Sequence, residues 1–186
     1  MPRAAGPVLT IALGGVFAGA APTDWSFTQD TPGEVRLPAP IVPAPEFGQL
    51  EYDGPPYRGL RVDLDGDGVP EYIVQSAASL CGNGGCPYAL FEGSRLRPLG
   101  MIFGGLLVVR AAPPGAFPVI HAYSHLSAVA ATYTTFVYDG RRYVSRSSIE
   151  VSGLALEKLT EELRRVPRRY TRPCAKDAPP GERAFG

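Results

Sequence analysis

The chain has 186 residues, 45% of them hydrophobic, which is enough for one packed core and too much for wholesale disorder. Its 18 basic residues balance 18 acidic ones, excluding long-range attraction to nucleic acid or anionic lipid as its main task. With 22 Gly and 20 Pro, many turns and short strands are expected rather than long helices.

Residues 1–21 come first. Arg3 is the only charged side chain before Asp24, Gly6 to Ala18 is mostly apolar, and Ala18-Gly19-Ala20 followed by Ala21 has the small residues signal peptidase accepts. This order predicts a secretory signal peptide cut after Ala20 or Ala21. A retained anchor is the competing reading; Pro7, the glycines and the marginal length count against it. Residues 22–56 read as a Pro-rich arm. Pro38, Pro40, Pro43 and Pro45 fix φ and remove donors, favouring extended backbone that links or hugs the body, with Trp25 and Phe27 available to dock it.

The body is expected over 57–170 as a mainly β (α+β) domain. Short alternating or apolar runs predict strands at 60–64, 71–75, 88–91, 101–103, 106–110, 117–123, 131–138 and 142–147. Asp139-Gly140 between the last two suits a type I′ hairpin turn, since both positions tolerate positive φ. One helix is predicted at 153–166, capped by Ser152. Leu156, Leu159, Leu163 and Val166 form its apolar face, acidic residues precede Arg164 and Arg165, and Pro167 ends it. Such a helix covers one face of a small antiparallel sheet or sandwich. Arg164, Arg165, Arg168, Arg169 and Arg172 form a basic strip, read as a solvated face with an anionic partner as the alternative. Residues 171–186 read as a flexible tail.

The segment Val62-Asp63-Leu64-Asp65-Gly66-Asp67-Gly68-Val69-Pro70-Glu71-Tyr72 is the most informative. Alternate carboxylates on a tightly curled loop converge on one point, and a hard cation such as Ca²⁺ takes about six to eight oxygens there. Carboxylates so close repel one another unless a cation intervenes. An ordinary EF-hand is excluded, because Val74 stands where a bidentate Glu belongs and the flanks read as strands. The loop resembles instead the calcium-loop hairpin of FG-GAP or VCBS-type, integrin-like repeats, over about residues 60–79. That resemblance implies Asp63, Asp65, Asp67 and Glu71 as side-chain ligands and Val69 as a carbonyl ligand. A whole propeller is not expected, since the acidic loop has no second copy at a fixed period. A solvated Asp/Gly turn without an ion is the plainer alternative.

Cys81 and Cys86 flank a glycine-rich loop, and in an exported chain they predict a disulfide contributing about 2 kcal/mol through loop entropy. A zinc site with His121 or Cys174, and a redox-active pair, are the weaker readings; Cys174 is left as a free thiol or an intermolecular link. His121 and His125 on a strand would lie about 13 Å apart, which suits separate structural roles better than one metal. No Gly-x-Ser-x-Gly elbow, phosphate cradle or isolated carboxylate pair assembles a catalytic centre. The sequence therefore points to a secreted or periplasmic, non-enzymatic calcium-binding domain. It would act by surface binding to an unidentified protein or glycan, with no nucleic acid and no membrane span after signal cleavage. The competing expectation is a small exported hydrolase, or a hydrolase inhibitor, using the His121/His125 region.

Overall fold

A computed structural model describes residues 23–41 and 50–169. The expectations for the signal peptide, Cys174 and the tail lie outside the described residues. In chain order the elements are β1 (Trp25–Thr28), β2 (Gly33–Val35), β3 (Tyr57–Val62), β4 (Glu71–Gln75), β5 (Cys86–Glu92) and β6 (Arg97–Gly104). Then come β7 (Leu106–Val109), β8 (Ile120–Ser127), β9 (Ala130–Tyr138), β10 (Tyr143–Ser152) and the helix α1 (Gly153–Arg165). The fold is mainly β, with two five-stranded sheets ordered β1-β7-β8-β9-β10 and β2-β3-β4-β5-β6, and neither closes into a barrel or propeller. Every strand pair is antiparallel.

Strand alternation places one set of side chains from each sheet face to face. Leu60, Ile73, Tyr88, Leu90 and Ile102 of the second sheet meet Phe27, Leu107, Val109, Ile120 and Tyr143 of the first in one buried core. Phe27 meets Tyr88 edge to face, centroids 5.5 Å apart. Each such side chain contributes about 1.5–3 kcal/mol when fully buried. The chain changes sheets between β6 and β7 at Gly105, whose N–H donates to the Tyr123 carbonyl at 2.9 Å.

Each outer face is also covered in part. Val35, Tyr72, Val74, Ala89, Phe91 and Leu96 form a second cluster, against which Leu37, Ala39, Ile41, Leu50, Tyr52 and Tyr57 pack. β4 is consequently buried at all of its positions. The described parts of the Pro-rich segment thus supply β1, β2 and the side chains that cover the second sheet. On the other side, Leu163 of α1 is buried with Val108, Tyr123 and Ala131, flanked by Leu156, Leu159 and Val166. Beyond the helix the chain is stitched to β1: Ser26 N–H donates to Pro167 O and Arg169 N–H to Ser26 O, each at 2.8 Å.

Local details depart from expectation at two turns. Ser152 occupies the N-cap position, but its side chain makes no capping hydrogen bond. The β9–β10 hairpin forms, yet of Asp139, Gly140 and Arg141 only Gly140 has positive φ (+96°), so the turn centres on Gly140-Arg141 and is not type I′ over Asp139-Gly140. The cause is the Asp139 side chain, whose Oδ1 accepts from the amides of Arg141 and Arg142 at 2.9 and 2.8 Å. These local bonds favour placing Asp139 ahead of the turn centre.

Candidate metal centre

β3 and β4 pair through Val62 and Glu71, and residues 63–70 form the connection between them. Gly66 (φ +75°) and Gly68 (φ +87°) take left-handed backbone that a side chain would disfavour, which lets the loop curl. Leu64 is buried in the intersheet core and anchors the loop from below. From the side, the Gly115 amide donates to Asp65 O at 2.6 Å. Backbone amides hold the acidic side chains in place: Asp63 accepts from Gly66 (2.8 Å) and Gly68 (3.0 Å), Asp65 from Asp67 (3.2 Å), and Asp67 from Val69 (2.6 Å).

Glu71 is the deepest of the acids, 1% exposed, with Oε2 accepting from the Leu64 amide at 2.6 Å. One carboxylate oxygen from each of Asp63, Asp65 and Glu71 lies within 4.8 Å of the others. Of the expected ligands, these come together; Asp67 stands outside that group, and Val69 is an exposed side chain that would act only through its carbonyl. Burial pushes the Glu71 carboxyl up to about 7; the Leu64 amide opposes this, and Asp65, Asp67 and Asp63 reinforce it. Asp65 is raised in the same direction, chiefly by burial. An ionised carboxylate has about four lone-pair sites, so the amides do not exhaust the acceptors. An all-oxygen, anionic donor set on a glycine-rich loop suits a hard divalent cation.

Asp63 and Asp65 also line a cleft of about 560 Å³, together with Trp25, Arg110, Arg168 and Arg169. Arg110 pairs with Asp24 at 2.7 Å, and the Arg169 guanidinium lies 5.0 Å above the Trp25 ring. The Ala111 amide holds the Asp24 carboxyl below its ordinary range, against burial and with help from Arg110. At the helix end, Arg164 and Arg165 are exposed and pair with Glu161.

The histidines have different neighbours. Half-buried His121 shares a hydrogen bond between Nδ1 and Thr135 Oγ1 at 3.1 Å and stacks on Tyr133 at 5.0 Å. Burial and then Arg110 lower its pKa. Exposed His125 meets the Tyr123 ring edge-on. Cys81 and Cys86 form the expected disulfide. Bonded to each other, they are not thiolate ligands, which removes the zinc reading. Unexpected from the sequence is Gln75, 5% exposed, whose Nε2 points at Cys86 Sγ (2.9 Å) and Gln29 O (3.3 Å). Its signal was a polar residue directly after the apolar run Tyr72-Ile73-Val74.

The chain matches no protein-family model, no curated protein and no solved structure. Among the described residues, no helix is long and apolar enough to cross a membrane.

Proposed function

We propose that this chain is an exported, non-enzymatic β-sandwich domain braced by calcium at Asp63, Asp65 and Glu71, which acts by binding protein or glycan through its surface. The observation that carries this reading is the convergence of those carboxylates within 4.8 Å, with one of them almost wholly buried. A buried carboxylate beside two others is unfavourable without a compensating charge. The resemblance of the loop to FG-GAP-type hairpins supports calcium, as does the hard oxygen donor set. The disulfide and the apolar amino-terminal stretch support export to an oxidising compartment. The cleft beside the loop falls within the roughly 300–1,000 Å³ range of ligand sites, which supports surface recognition there.

Thermal melting with EDTA and with millimolar calcium tests the ion. Calcium at about 100 times its Kd would add about 2.7 kcal/mol. EDTA should lower Tm, calcium should restore it, and Asp65→Ala should abolish the response; equal melting curves in EDTA and calcium would refute the brace. The hydrolase or inhibitor reading rests on His121 and His125, and it requires turnover or inhibition that is lost on substituting them while the fold persists.

A further inference from the structure

The disulfide lies in the wall of a cavity of about 110 Å³ shared with Gln75, Gln29, Asp30, Asp53 and Arg58. By that measure a water needs about 10–15 Å³, so a molecule of several non-hydrogen atoms fits. Gln75 Oε1 is buried and, among the described residues, has no hydrogen-bond partner. Its orientation is fixed, because exchanging O and N would turn an acceptor toward the Gln29 carbonyl. Asp30, Asp53 and Arg58 stand exposed around the opening.

The two sulfurs differ. Cys86 is 1% exposed while Cys81 is partly open, so an incoming nucleophile reaches Cys81. The Gln75 amide lies nearer the buried sulfur, 2.9 Å from Cys86 against 3.5 Å from Cys81. A disulfide sulfur is a poor acceptor, whereas a thiolate accepts a charge-assisted hydrogen bond. Acceptors for the reduced state are also in place: Ala77 O and Gln29 Oε1 each lie 3.8 Å from Cys81 and Cys86 Sγ respectively. The pocket therefore suits both oxidation states.

We propose that Cys81–Cys86 is a thiol–disulfide exchange site for small aminothiols, with Cys81 attacked and Cys86 leaving. The thiolate of the small molecule forms a bond to Cys81 Sγ as the Cys81–Cys86 bond breaks. The released electron pair stays on Cys86 Sγ, held by Gln75 Nε2 until it takes a proton. A second thiolate then attacks the small-molecule sulfur of the mixed disulfide, giving a small disulfide and a Cys81 thiolate that is protonated in turn. Two thiols are thereby oxidised and one protein disulfide is reduced; a small disulfide drives the reverse. Asp30, Asp53 and Gln75 Oε1 favour a ligand carrying an ammonium group, and Arg58 offers a partner for its carboxylate, the pattern of a zwitterionic amino-acid thiol.

Cysteine and N-acetylcysteine, which lacks the ammonium group, are the probes, applied at matched thiolate concentrations to the oxidised full chain. Acid quenching and peptide mapping locate adducts and keep Cys174 separate. Cysteine should open the bond at a rate proportional to its concentration, place the adduct on Cys81, and react about tenfold faster than N-acetylcysteine. Asp30→Asn with Asp53→Asn should bring the two probes together, and Gln75→Met should slow opening about tenfold. Rates independent of thiol and tracking global unfolding in denaturant, an adduct on Cys86, or equal rates for both probes would each overturn the proposal. The wild-type comparison decides it even where a variant fails to fold.

Discussion

Glu71 concentrates the energetic conflict of the acidic loop in one side chain. In its buried place the protonated carboxyl is favoured, with a pKa of about 7 against an ordinary 4.5. A raised carboxyl pKa contributes stability that is complete below the unfolded value and disappears as pH rises through the folded one. In EDTA, chemical denaturation should therefore show stability falling by up to about 3 kcal/mol between pH 4.5 and 8. With saturating calcium the carboxylate is held ionised, and this slope should flatten or reverse. Glu71→Gln keeps an acceptor for the Leu64 amide but no charge. It should melt above wild type in EDTA at pH 8 and lose the calcium response. A second residue-scale test is Gly85→Ala: at φ +129°, its Cβ would lie 2.0 Å from the Gly104 backbone. The nearest atoms all belong to the Gly104–Gly105 backbone, which cannot yield cheaply, so a loss of about 3 kcal/mol or more is expected in urea titrations.

Among the elements, α1 is held by few contacts, with Leu163 its only buried residue. Leu163→Ala should cost about 2–3 kcal/mol and loosen the helix first, as amide exchange across 156–165 should report. The helix was legible because its leucines recur at one face, and it ends where Pro167 must end it. The β3–β4 loop was legible because carboxylates at alternate positions leave few other uses. Neither the cover over the second sheet nor the shift of the β9–β10 turn was. Proline-rich extended chain carries no period that reveals which sheet it lies on, and the Asp139 side chain competes with its own backbone. Gln75 escaped because its partners are sulfurs and a carbonyl set by tertiary packing, not by spacing.

For the whole molecule, the disulfide is compatible with the export proposed above, and under that proposal calcium at extracellular levels fits weak sites of about 10⁻⁴–10⁻³ M Kd. The composition had limited the answer to one turn-rich β body, and strand order follows the chain except at β1. That strand's Ser26 hydroxyl reaches the Pro167 carbonyl across 141 residues, and its backbone pairs with β7. That strand therefore stays unpaired until β7 has been made, and it gains its last backbone partners only with Pro167 and Arg169. Such an arrangement postpones closure of the sandwich: the first sheet keeps an unfastened margin until the two ends of the described chain meet.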